Sequence, residues 1–383
     1  MDIVIVLFLV LCIYFLQRRI LLPVFSHTGK RVRENYIDIL FIVHLLFSAF
    51  YFVYTFNSRS DSGEYYRLSV EAQTWQELFV SGTSFVKLVC YPFSHILGLS
   101  FTSVMLIFAF LGFEGMLFFY LAARENIKEL PLKWGGMTIL EILFILPNCH
   151  FWSGSLGKGS LMTLGIGLTF YGLSRFNRRL PWLLTGAFIV YMVRSHLLLA
   201  IVVGVGLGVV FTQKGIKWYF RLVLIVFSAL TIFVISDNVV EFTGVESVNI
   251  FDSKSLDHRV EQLGHGRSGV DIANYSESFK LFTFLFRPLF VDSPSLLGFI
   301  TSLENTYLLF LLFPFLLNFP VFWKNSNGFH KAAFFTFLLA SISLAQISGN
   351  LGIAIRQKAQ IFPLLYFFLA LSFSLSNNRK LNP

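Results

Sequence analysis

Apolar runs and basic residues alternate along this chain in a way that leaves few folds open. Stretches 2–17, 36–56, 101–123, 134–148, 160–174, 181–193, 197–212, 219–236, 303–320, 332–349 and 359–376 are apolar. A helix of about 20 such residues crosses the ~30 Å hydrocarbon core of a bilayer with its backbone hydrogen bonds satisfied internally. At 55% hydrophobic and 13% charged residues, the chain lacks the polar surface that a soluble domain needs. These numbers predict an all-α, polytopic integral membrane protein of about eleven transmembrane helices. Two short runs make the range ten to twelve.

Lys and Arg set the expected orientation. With the N-terminus outside, alternate loops are cytoplasmic and hold 18 of the 30 basic residues, from Arg18 and Arg19 to Arg379 and Lys380, against Glu34, Glu125 and Glu129. Met1 and Asp2 lead directly into the first run, and the basic pair follows it, so this run reads as a retained span and not a cleaved signal. Basic residues at 175–179 and 214–221 flank the stretch 180–212. That stretch is therefore expected to be a hairpin with Arg194, Ser195 and His196 at its outer tip. The C-terminus falls on the cytoplasmic side. One transmembrane domain over 1–383 is expected, with two large outer loops at 57–100 and 237–302. The net charge of +9 is then an orientation signal and no sign of nucleic-acid binding.

The other 12 basic residues all fall on the outer side. Lys158, Arg194, Arg287 and Arg356 lie in otherwise apolar sequence, where a cation is costly unless it meets an anion or lines a wet cavity. Planar guanidinium forks match phosphate oxygens bidentately, so such a set could hold a pyrophosphate at the membrane surface. Each also has a plain alternative: Lys158 and Lys358 as snorkelling residues at lipid phosphates, Arg287 as a partner of Asp292. A base for such a site is sought in Asn57–Arg67, which begins the first outer loop. Asp61 and Glu64, three apart, face one way if a helix starts there, with Ser60 or Asp61 as its cap. An acidic helix start is the plain reading.

Other polar residues carry less. His258 and His265 near Asp257 lack metal-ligand spacing, and no metal or cofactor is expected. Asp38, Glu114 and Glu141 lie inside spans and suit a proton path or helix-pairing hydrogen bonds. His44, His95 and His150 read as core or interface histidines. Glycines in the runs around 165–167 and 204–208 read as close helix packing, and no nucleotide-binding motif is present. The three cysteines read as small apolar packing residues.

Three segments carry a resemblance. These are Asp61–Tyr66, Pro147–Lys158 (Pro-Asn-Cys-His-Phe-Trp-Ser-Gly-Ser-Leu-Gly-Lys) and Gly349–Lys358 (Gly-Asn-Leu-Gly-Ile-Ala-Ile-Arg-Gln-Lys). Together they resemble polytopic bacterial membrane proteins of polysaccharide clusters, the Wzy and EpsG-like polymerases and the wider GT-C glycosyltransferase class. Related motifs place an acid after the Lys, where this chain has Gly159, and one span precedes the helix leading into the Asp61 loop.

The resemblance implies a GT-C-like or Wzy-like bundle that transfers sugars from a polyprenyl phosphate or pyrophosphate at the outer face of the cytoplasmic membrane. Capsule, exopolysaccharide or O-antigen synthesis is the implied setting, with membrane lipids and a polysaccharide-assembly machinery as partners. It implies Asp61 as general base, with Glu64 second. The substrate-binding set is Arg59, Tyr66, Arg67, His150, Trp152, Lys158, Arg194, His196, Arg287, Arg356 and Lys358. The alternative from another class is a lipid-linked oligosaccharide flippase or transporter that makes no bond. A membrane acyltransferase with His150 or His196 as base is a third reading.

Overall fold

A computed structural model describes residues 2–21, 34–58, 60–127, 133–134, 136–212, 219, 269–270, 272, 274–292 and 295–381. The described residues are all-α apart from a two-residue hairpin pairing Lys133 with Thr138, and they form fourteen α-helices. Six of these are long and apolar enough to cross a membrane: Asn35–Asn57, Phe101–Asn126, Phe176–Val210, Leu296–Leu317, Gly328–Ala345 and Leu351–Leu375. The chain is thus a multi-pass membrane protein, and the count is lower than the eleven expected. The runs 181–193 and 197–212 fall in the single helix Phe176–Val210, the run 134–148 holds only short helices, and length removes two more. The helices Asp2–Leu16 and Lys158–Ser174 have 15 and 17 residues, about 23 and 26 Å, short of the ~30 Å core. The run 219–236 lies outside the described residues, apart from Tyr219. Large apolar side chains such as Phe8, Phe50, Phe310 and Leu317 are exposed on these helices, which suits lipid and not water.

The chain divides into two compact units, Met1–Arg194 and Ser195–Pro383. In the first, α1 (Asp2–Leu16), α2 (Glu34–Asn57) and α5 (Phe101–Asn126) pack through stacked aromatic rings, Tyr14 on Phe41 at 4.0 Å between centroids. The stretch 57–100, expected as a loop, is mostly helical: α3 (Asp61–Glu71) and α4 (Thr83–Tyr91) cap one end of the bundle. Two short helices, α6 (Ile139–Phe144) and α7 (Pro147–Ser153), bring the chain back to that end, with Pro147 starting the second. From there α8 (Lys158–Ser174) runs parallel to α5 with backbones touching. A Cβ on Gly115 would lie 2.4 Å from Leu164 N, and one on Gly167 would lie 2.3 Å from Gly115 O.

At the opposite end Arg179 forks onto Glu125, at 2.7 and 2.8 Å, and lies 3.7 Å from the Tyr171 ring centre. The chain then returns along α8 in α9 (Phe176–Val210), whose helical dihedrals fail at Arg179 and again at Arg194 (φ −153°, ψ 83°). The break at Arg194 falls where a hairpin tip was expected, and Phe176–Val210 counts as one of the six candidate spans and not two.

The second unit holds the rest of α9 with α10 (Glu277–Phe286), α11 (Leu296–Leu317), α12 (Phe319–Asn325), α13 (Gly328–Ala345) and α14 (Leu351–Leu381). Its core helix is α14, where Leu364–Leu371 are all buried. Of the second expected loop, residues 237–268 lie outside the described residues.

Candidate functional site

The capped end of the first unit is where polar groups gather. Ser60 is extended and caps α3, its Oγ accepting from the Ser62 N–H at 3.3 Å. This puts Asp61 and Glu64 in the first turn, both exposed, as an acidic helix start favours. Tyr65, which the sequence did not single out, turns inward and is buried. Its Cε2 would lie 3.6 Å from a Cβ placed on Gly157. Tyr66 donates its hydroxyl to Leu99 O at 2.8 Å, and Arg67 spends its guanidinium on Glu71 at 2.8 and 2.9 Å, on the exposed face of α3. Both are tied into the cap.

Beside Tyr65 is the turn between α7 and α8. Trp152 is buried, with Tyr51 5.8 Å and Phe151 5.0 Å from its ring centre. Gly159 has no room for a side chain, because a Cβ there would lie 2.1 Å from Trp152 O. Gly157, fully extended at φ 168°, precedes α8, and no side chain caps that helix.

Lys158 is the first residue of α8, ahead of the apolar run. Burial pushes its ammonium down to about 8, the Arg194 charge adds to that, and Asp61 opposes it. Arg194 arrives at the same place where α9 loses its helical dihedrals. Although the residue is only partly buried as a whole, its Nε and Nη1 are sealed from solvent with no hydrogen-bond partner among the described residues. Asp61 and Arg194 are thus within electrostatic reach of Lys158, and Tyr65 is within that of Arg194. Two neighbouring cations can hold an anion, and an exposed carboxylate near them can take a proton.

The remaining expected site residues are placed elsewhere. His150 is wholly buried in the core. Its Nδ1 is 3.0 Å from Nδ1 of His44, and the two Nε2 atoms face the carbonyls of Phe144 and Ala109 at 2.7 and 2.9 Å. With both Nε2 atoms donating to carbonyls, two neutral rings would set lone pair against lone pair at the Nδ1–Nδ1 contact, so that contact is a hydrogen bond only when one ring of the pair carries a second proton. In the second unit, Arg287 grips Asp292 at 2.6 and 3.0 Å, and this pairing holds the Asp292 carboxyl below its usual value. Lys358 is buried and donates to Leu285 O, Arg287 O and Asn305 Oδ1 at 2.9, 2.9 and 3.0 Å. Arg356 and His196 are partly buried there. Arg59 lies outside the described residues.

The acids inside spans have local partners. Asp38 pairs with Arg18 at 2.9 Å and accepts from Tyr14, and Glu114 accepts from Gln17 at 2.6 Å. Glu141 closes a capping box with Thr138, a Thr-x-x-Glu pattern readable in the sequence. Glu304, buried in α11 and not singled out from the sequence, accepts from Tyr366 at 3.0 Å. Among the described residues no group of three His, Cys, Asp or Glu is placed to hold a metal ion. Comparison with known proteins finds no family model, no curated protein and no solved structure that matches the chain.

Proposed function

We propose that the chain is a membrane glycosyltransferase or polymerase that uses polyprenyl-phosphate- or pyrophosphate-linked sugars at the outer face of the bacterial cytoplasmic membrane, as its resemblance to Wzy, EpsG-like and GT-C proteins implies. The observation that carries this reading is that exposed Asp61 and Arg194 both lie within electrostatic reach of Lys158 at one end of the first unit. Sugar transfer from such a donor needs both parts. The acceptor hydroxyl gives its proton to the Asp61 carboxylate, with Glu64 one turn behind. Its oxygen bonds to the anomeric carbon while the bond from that carbon to the phosphate oxygen breaks. The charge that develops on the departing phosphate falls to Arg194 and Lys158. Because the donor is already activated, the chain needs no nucleotide site.

A flippase would ask for polar groups free to serve a path through the spans. Asp38 and Glu141 have local partners instead, and Glu114 has Gln17 on one oxygen, its Oε1 being buried with no partner among the described residues.

Deleting the gene and complementing with Asp61→Asn or Arg194→Gln tests the proposal. Accumulated lipid-linked single repeats, or absent or shortened surface polysaccharide, are expected with both variants. Normal polymer with either one overturns the mechanism.

A further inference from the structure

His44 of α2 and His150 of α7, both wholly buried, share three short contacts: Nδ1 to Nδ1 at 3.0 Å, His44 Nε2 to Ala109 O at 2.9 Å and His150 Nε2 to Phe144 O at 2.7 Å. Each contact needs one hydrogen, because a carbonyl oxygen only accepts and two bare ring nitrogens repel. Two neutral imidazoles bring two. With both hydrogens on Nε2, the Nδ1 lone pairs oppose each other; with one moved to Nδ1, that ring turns a bare Nε2 on a carbonyl oxygen. A third hydrogen satisfies all three contacts, and it arrives as a proton.

The surroundings leave such a proton free to exchange. Burial opposes a charge on His150, and the Phe144 carbonyl favours it. Among the described residues no carboxylate touches either ring. The acids on the helices packed around the pair are held elsewhere: Asp38 by Arg18, Glu114 by Gln17, Glu125 by Arg179 and Glu141 by Thr138. Tyr14 donates to Asp38 and Tyr36 to Glu141 O, and Tyr51 and Cys149 are the other titratable groups buried on α2 and α7. A shared metal ion fits less well, since a Zn–N bond of about 2.0–2.1 Å sets two nitrogens of a tetrahedral site about 3.3–3.4 Å apart. The observed 3.0 Å is hydrogen-bond spacing.

We propose that the His44–His150 pair is a proton-binding site, which takes up one proton between its two Nδ1 atoms and so completes the contact of α2 with α7. The proposal is independent of the function proposed above. The backbones already lie close here: a Cβ on Gly154 would be 2.9 Å from Ser48 Cα, and Ser48 Oγ donates to His44 O at 2.7 Å. A second proton would set two like charges on nitrogens 3.0 Å apart, and the pair therefore stops at one.

The test counts hydrogens on the four ring nitrogens. The full-length protein, labelled with nitrogen-15 in its histidines, is placed in phosphatidylcholine vesicles with a chelator and followed by solid-state NMR between about pH 8 and 5, the range in which histidine changes charge. His44→Gln and His150→Gln assign the signals by difference. Two unprotonated nitrogens are expected at the upper end and one at the lower, with a coupling between the two Nδ1 atoms across the shared hydrogen. Should either variant fail to fold, that coupling identifies the pair in the wild type. Two unprotonated nitrogens throughout, none at the lower end, or no Nδ1–Nδ1 coupling at any pH overturns the site. A change that needs added Zn²⁺ in place of acid overturns it as well, in favour of a metal.

Discussion

Lys358 and Arg194 pose the same problem and solve it in opposite ways. Both are cations in apolar sequence on helices of a membrane protein. Lys358 is wholly buried, and three acceptors surround its ammonium at 2.9–3.0 Å. Arg194 keeps two buried nitrogens with no acceptor among the described residues. In the first case the protein has internalised the ligands, so the charge ties α14 to α11 and to the backbone at 285–287. In the second the acceptors are left to come from outside. The cost of a half-sunk cation identifies candidates for function, and the partner census sorts structural cations from binding ones.

The largest expected effect lies on the Arg194 side. Arg194→Gln should lower the rate of sugar transfer, or of polymer formation in cells, by about 100-fold or more, the usual loss when a charge-stabilising donor is removed. It should leave the thermal midpoint level or higher, since no hydrogen bond of Nε or Nη1 to a described residue is lost. A variant that unfolds the protein would place Arg194 with Lys358 and dissolve the contrast.

Lys358→Met is the converse experiment. It strands two backbone carbonyls and the Asn305 oxygen in a buried place, at about 1–3 kcal/mol each before relaxation. A loss of about 3 kcal/mol or more is expected, read as a lower midpoint and less protein in the membrane. Full stability in this variant would show that the ammonium is replaceable by packing.

The pH dependence sharpens the comparison further. Lys158 titrates near 8 in the folded protein, well below the ordinary lysine value, mainly because it is buried. The unfolded chain therefore binds more protons between about pH 8 and 10.5, so the Lys158 contribution to stability rises with pH across that window. Anion binding runs the other way. The ammonium is lost above pH 8, and affinity for a phosphodiester or for farnesyl phosphate should fall toward tenfold per pH unit until the contribution of Lys158 is exhausted. Lys158→Arg should flatten this fall, because a guanidinium stays charged. An affinity flat from pH 7 to 10 in the wild type would remove Lys158 from the proposed anion-binding pair.

How much of this was legible in the sequence follows from which interactions are local. The membrane class, the cap at Ser60, the break at Arg194 and the close-packed glycines depend on composition or on neighbours a few residues apart, and each could be read there. The Glu141 capping box is likewise a local Thr-x-x-Glu pattern, four residues long. The inward turn of Tyr65 could not, because it depends on the α7–α8 turn nearly a hundred residues away. Nor could the fate of Lys358, whose acceptors lie up to 73 positions off. The helical character of residues 57–100 was hidden by polar composition, since α3 and α4 are short helices at the end of the bundle and not spans.

Arg67 gives the smallest effect and the cleanest control on the partner census. It has a full set of short contacts to Glu71, at 2.8 and 2.9 Å, so by partner count alone it would resemble Lys358. Both members of the pair are more than half exposed, at 59% and 54%, where side-chain entropy and water cancel most of the Coulomb gain. Arg67→Ala should therefore cost no more than about 0.5 kcal/mol, the value of an i,i+4 pair on a helix surface. A loss approaching that of Lys358→Met would mean that partner count, and not burial, decides what a cation contributes, and the distinction drawn between Lys358 and Arg194 would then need a different basis.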